Sequence, residues 1–295
     1  MSAPPKPAHA TRPFYWSVRR EIWEHPALFA APLVVAGLIL IGFVLSALGP
    51  PKGVSVQLTL SPDLQAASHL APYHIAAFAI MAVSVAVGLF YALSALHTER
   101  RDRSILFWKS MPVSDLTTVA AKAFIPLALL PALAFVLIIG LQLVMLVIAE
   151  AGLALHGQSP AGLWGEVDLL RNGIATLYTL VAVTLWYAPI YAWALLVSGW
   201  AKRAPFLWAV LPPLALMLVE QMALGTGHAA GVVMNRLGGF SAALGGGAPQ
   251  DGPIDPLSRL TPLSFIASPG LWGGLVVAAL FLAAAVWLRR RREPI

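Results

Sequence analysis

From Tyr73 to Leu96 the chain runs for 24 residues without a single Asp, Glu, Lys or Arg. That is longer than the ~20 apolar residues an α-helix needs to cross the hydrocarbon core of a bilayer. Five further stretches have the same character, at about Leu28 to Leu48, Ala123 to Ala149, Asn172 to Ser198, Pro205 to Leu224 and Leu271 to Leu288. Composition agrees: 59% of the residues are hydrophobic and 11% charged, with a mean hydropathy of +0.78, against about 25% charged in soluble domains. The expected fold class is an all-α membrane protein with six transmembrane helices spread over residues 28–288.

The charges that remain are not scattered evenly. Threading six spans puts Lys6, Arg12, Arg19, Arg20, Arg100, Arg101, Arg103, Lys109, Lys122, Lys202, Arg203 and the four arginines Arg289 to Arg292 on one side of the membrane. Only Lys52, Arg171, Arg236 and Arg259 fall on the other. Loops rich in Lys and Arg stay in the cytoplasm, so this asymmetry predicts that both termini are cytoplasmic, with residues 289–295 as a basic tail. One span more or fewer would scramble the separation. The same asymmetry accounts for the formal charge of +6, because the positive residues cap apolar segments and form no single basic face; nucleic acid is not an expected partner.

Residues 1–27 comprise a Pro- and Ala-rich start followed by a helical pattern. Phe14, Val18 and Ile22 recur every four residues beside Tyr15 and Trp23, with Arg19, Arg20, Glu21 and Glu24 on the other side. This predicts an amphipathic interfacial helix that meets membrane lipid. Pro50 and Pro51 stop the first span, and Val54 to Leu60 alternates as a short external strand would. Pro126 and Pro131 predict kinks early in the third span, and Pro212 and Pro213 are expected to interrupt the fifth. Residues 225–268 form the longest external connection; its first half is too apolar for a solvated loop and too short to span, which predicts short re-entrant helices between spans five and six.

Little in the chain carries catalytic chemistry. There is no cysteine, which removes thiol catalysis and Cys-based metal sites, and no GxxxxGK[ST] phosphate loop, GxSxG elbow or HExxH pair occurs. No catalytic, cofactor-binding or metal-binding residue is expected. Glu220 is the one carboxylate well inside a predicted span, where an ionised group is costly. It either belongs to a translocation path or sits at the outer interface, hydrogen-bonded to the following loop. Gln142 in the third span either lines such a path or bridges helices through its amide.

The polar piece between spans two and three, residues 99–122, is ordered in composition. It opens with Glu99, Arg100, Arg101, Asp102 and Arg103, continues with the apolar patch Ile105, Leu106, Phe107 and Trp108, and then reads Lys109, Ser110, Met111, Pro112, Val113, Ser114 and Asp115. Ser114 can cap a helix whose first turn holds Asp115 at the positive end of the dipole. That helix runs straight into the third span. A positive-inside loop accounts for the arginines alone; the apolar patch beside a capped helix points to a docking surface.

This pattern resembles the ABC-2 type permeases, the membrane subunits of ATP-binding-cassette exporters. Glu99-Arg100, Leu106, the Ser110-Met111-Pro112-Val113-Ser114 turn and Lys122 carry the resemblance, and the six-span layout extends it over nearly the whole chain; Ser104 stands near a place where the family commonly has glycine. The resemblance implies a permease of a bacterial inner membrane without its own ATPase site. ATP and Mg would be bound by a separate ABC ATPase subunit in two copies, and a second copy of the permease would complete the pore. Residues Glu99, Arg100, Arg101, Arg103, Phe107, Trp108, Lys109, Pro112, Ser114 and Asp115 would form the ATPase-coupling element. The lack of charge inside the spans suits outward transport of an apolar or amphipathic substrate. A secondary transporter or channel working alone, and a membrane scaffold subunit, are the alternatives.

Overall fold

Proline opens several helices in this chain, since at the first helical position its missing amide would have no partner anyway. In the computed structural model, which describes residues 12–48, 62–102, 113–155, 157, 168–238 and 261–291, Pro13 starts α1 (Pro13–Glu24). After a turn at His25 and Pro26 follow α2 (Ala27–Leu48) and α3 (Pro62–Arg101), then α4 (Asp115–Phe124) and, through the widened π-helical turns Ile125–Leu129, α5 (Leu130–Leu155). The chain closes with α6 (Leu169–Trp200), α7 (Pro205–Leu224), α8 (His228–Gly238), α9 (Pro262–Ala267) and α10 (Pro269–Arg291). Every regular element among the described residues is helical. Six stretches are long and apolar enough to cross a membrane: α2, α3 from Ala71, α4 joined to α5, α6, α7 and α10.

The expected spans thus appear, with differences at their ends that have local causes. The helix of the second span, α3, begins at Pro62, well before Tyr73. Pro72, inside it, does not stop it. Likewise Pro212 and Pro213 do not interrupt the fifth span, as the sequence had suggested; α7 passes through both. The kinks expected at Pro126 and Pro131 take the form of the π turns. Neither proline has an amide, so the carbonyls of Lys122 and Leu127 lack their usual donors four residues on, and widened turns absorb the mismatch. The strand expected over residues 54–60 lies outside the described residues.

α6 is the most enclosed span and packs against α10 and α3. Small residues set its approach to α10, where Ala188 and Ala192 meet Ala278. On the other side α2, α3 and α5 share a core built on Tyr73, Ala76, Ile80, Ala134, Ile138 and Met145. Gly88 of α3 faces the π turns: a Cβ there would lie 3.2 Å from the Pro126 Cβ and 3.2 Å from a ring carbon of Tyr191. α7 lies at the periphery with no buried residue, touching α6, α3 and α8. The link into it contains Ala204 at φ 48°, a left-handed conformation that is uncommon outside glycine.

Candidate functional site: a buried ion-pair knot

Four helix ends meet at the arginine-rich end of the bundle. Ser114 caps α4, its Oγ accepting from the Thr117 amide at 3.1 Å, and this fixes the helix phase from its first turn. Asp115 and Lys122, seven residues apart, therefore lie on one face. α1 packs along α4 and presents Glu21 to it. The end of α3 contributes Glu99, and the end of α10 contributes Arg289.

Lys122 Nζ donates to Glu21 Oε1 at 2.8 Å and lies 3.1 Å from Glu99 Oε1. Arg20 Nη2 bridges the same two carboxylates at 2.6 and 2.7 Å. Tyr91 donates its hydroxyl to Glu21 Oε2 at 2.7 Å. Arg289 closes the far side, with Nη1 on Glu99 Oε2 at 2.5 Å and Nε on Asp115 Oδ1 at 3.1 Å. Three carboxylates thus face three cations. Lys122 and Glu21 are each 1% exposed, and Glu99 and Arg289 each 6%. Burying ions this completely is costly unless each is paired and hydrogen-bonded, as these are.

The electrostatics follow the geometry. Burial alone would raise the Glu21 carboxyl, but Lys122 and Arg20, with hydrogen bonds from Lys122 and Tyr91, outweigh it and hold Glu21 down at about 2. His25, whose ring meets that of Tyr91 edge to face at 5.1 Å, is pushed below its ordinary value mainly by burial, against the pull of Glu21. Glu21, Glu24 and His25 bring ligand atoms within 4.8 Å of one another. A dication there would have to displace Lys122 and Arg20 from Glu21, so this trio fits an ion-pair site better than a metal site.

The residues singled out in the coupling stretch have different surroundings. Glu99 is a buried member of the knot. Arg100 is 5% exposed and caps the end of α6, donating to Gly199 O at 2.8 Å and Ala201 O at 3.5 Å, where a cation also suits the helix dipole. These two bind other parts of the same chain. Arg101 is exposed and pairs with Asp102 at 3.0 Å. Ser114 is the cap, and Asp115 is engaged by Arg289. Arg103, Phe107, Trp108, Lys109 and Pro112 lie outside the described residues.

Glu220 sits at the end of α7 and receives Thr226 Oγ1 at 2.7 Å, the His228 amide at 2.8 Å and the Ala229 amide at 2.6 Å. It thereby accepts from the first two amides of α8 and is hydrogen-bonded to the segment that follows its own helix. Gln142 is buried in α5 and donates to Tyr73 O of α3 at 3.5 Å, which is a helix bridge. Sequence reasoning missed the pairing of Glu21 with Lys122. It had placed Glu21 with Arg19 on an outward polar face, whereas Glu21 points into the bundle and Arg19 lies over the rings of Trp16 and Trp23 on the exposed side. One signal was available: carboxylates are scarce at an end so rich in Lys and Arg. Compared with protein families, curated proteins and solved structures, the chain matches none of them.

Proposed function

We propose that this chain is the permease subunit of an exporter of the ABC-2 kind, driven by a separately encoded pair of ATPase subunits that bind ATP and Mg. In this reading two copies of the chain form the pore in a bacterial inner membrane. The arginine-rich end faces the cytoplasm, and an apolar or amphipathic substrate moves outward. α1 is its interfacial helix, and α8 and α9 are the short helices dipping into the outer leaflet.

The observation that carries this reading is the attachment of α4. This helix begins at Asp115, within the 99–122 insert, is bound through Lys122 to α1 and α3 and through Asp115 to α10, and continues through the π turns into the third span. A push on the insert would reach three other helices through ion pairs and the membrane interior through the backbone. Glu99 acts inside this linkage and Arg100 at the end of α6, leaving Arg101, Arg103, Phe107, Trp108 and Lys109 as the candidates for touching the ATPase. A carrier working alone would need a carboxylate that exchanges protons or ions. Glu21, held at about 2 by its cations, is poorly suited to that.

The test is co-expression with a candidate ATPase subunit, one that carries a phosphate-loop motif in an adjacent coding region, followed by ATPase and transport measurements in proteoliposomes. Phe107→Asp and Trp108→Asp should each uncouple hydrolysis from transport and weaken co-purification. Transport by this chain alone, or unaltered coupling in both variants, would overturn the proposal.

A further inference from the structure

At the end of the bundle away from the knot, one cation is built into the fold with neutral partners only. Arg236, near the end of α8, donates from Nη1 to Trp186 O at 3.2 Å and from Nη2 to Gly270 O at 2.6 Å. Its guanidinium carbon lies 4.4 Å from the centre of the Trp186 ring. The indole returns a hydrogen bond to Arg236 O at 3.0 Å, and Tyr187 donates to Leu237 O at 2.9 Å. Gly274 makes room for this arrangement, because a Cβ there would overlap the guanidinium. No carboxylate among the described residues is within ion-pair range of it.

The depth of this group matters. Gly270 and Arg289 are 19 residues apart on α10, about 29 Å at 1.5 Å per residue, close to the ~30 Å thickness of a hydrocarbon core. The knot and Arg236 therefore lie at opposite boundaries of the apolar layer. Carbonyls and a ring orient a guanidinium without cancelling its charge, and a guanidinium with no carboxylate partner among the described residues can take an anion. Two of its five N–H groups are used, the side chain is partly exposed, and the planar fork matches an oxyanion. Beside it, Leu237, Ile266 and Trp272 are exposed, with the Trp272 indole donating to Ile266 O at 2.7 Å, and they make an aromatic and aliphatic surface that suits a hydrocarbon chain.

We propose that Arg236, held by Trp186 and Gly270, binds the oxyanion head of an anionic amphiphile, such as a phosphate-bearing lipid, with the tail lying on Leu237, Ile266 and Trp272. This goes beyond the exporter reading and does not depend on it, since it requires no ATPase.

The experiment uses the full chain purified in a neutral detergent, with photoactivatable phosphatidic acid and photoactivatable phosphatidylcholine as probes and peptide mapping of the label. The anionic probe should label peptides containing Leu237, Ile266 and Trp272 more strongly than the zwitterionic one by at least about tenfold, the share that one charge-assisted hydrogen bond contributes. Arg236→Gln should bring the two probes to the same level in a protein that still unfolds cooperatively. Should that variant fail to fold, competition on the unaltered chain decides: dodecyl phosphate should remove the label, while dodecanol and millimolar inorganic phosphate should not. Equal labelling by the two probes, or full labelling in a folded Arg236→Gln protein, would overturn the site. Displacement by inorganic phosphate as effective as by dodecyl phosphate would overturn the amphiphile as its ligand.

Discussion

Replacing Lys122 by methionine keeps most of the side-chain volume and removes one charge. In the knot this changes three carboxylates against three cations into three against two. Glu21 keeps Arg20 and Tyr91, and Glu99 keeps Arg20 and Arg289, yet both lose the ammonium that neutralised them inside a site only a few per cent exposed. Removing one partner of a buried ion pair typically costs about 3–5 kcal/mol. For a chain of this size that corresponds to a fall in thermal midpoint of roughly 6–20 °C, at about 2–4 °C per kcal/mol. Glu21→Gln alone leaves Lys122 with only Glu99 and should also destabilise. The double variant restores neutrality and should be less destabilised than the sum of the singles by about 2 kcal/mol or more, the coupling expected of groups in direct contact. Equilibrium unfolding of the four proteins in one detergent measures this cycle. A Lys122→Met protein as stable as the parent, or strictly additive singles, would refute the claim that these charges act as one unit.

Three further outcomes follow from particular contacts. Glu21, at about 2 in the folded chain against an ordinary 4.5, contributes about 3 kcal/mol that is fully present above the ordinary value and is lost as pH falls from there toward 2. Thermal midpoints recorded from about pH 6 down to pH 3 should therefore fall more steeply for the parent than for Glu21→Gln, and parallel curves would contradict the assignment. Gly88→Ala would put a methyl 3.2–3.3 Å from Pro126, Tyr191 and Leu130 and should cost about 1–3 kcal/mol of stability by overpacking at the π turns; a neutral result would mean that α3 is free to withdraw. Glu220→Ala removes the acceptor of two α8 amides and the Thr226 hydroxyl, so hydrogen exchange at His228 and Ala229 should quicken while that of α6 stays unchanged.

The spans were legible because each depends on its own composition. A helix in lipid needs only a long run of apolar residues, and the fifth span shows how strongly that outweighs local rules: Pro212 and Pro213 sit inside α7 without ending it. Ser114 was legible too, since a cap is a contact over three residues. The knot was not. Glu21 and Lys122 are 101 residues apart, and no periodicity in α1 says which of its charged residues turns inward. Arg19 and Arg20 are adjacent and of equal charge, yet Arg19 lies over exposed indoles while Arg20 bridges two buried carboxylates. The choice is made by what α3, α4 and α10 present, and so is visible only when those helices are in place. The same holds for Arg236, whose partners are the carbonyls of two distant helices.

Charges on opposite faces of a bilayer cannot touch, so the knot works as a parity rule for the chain that contains it. From Glu21 to Glu99 the polypeptide crosses twice, by α2 and α3. From Lys122 to Arg289 it crosses four times, by α5, α6, α7 and α10. A misthreaded copy in which any one helix failed to insert would strand at least one of these groups across the hydrocarbon from its counterion. Arg289 is made last, so the ion pairs can all close only after the final crossing is complete, and correct insertion is then locked by the same side chains that join the helix ends.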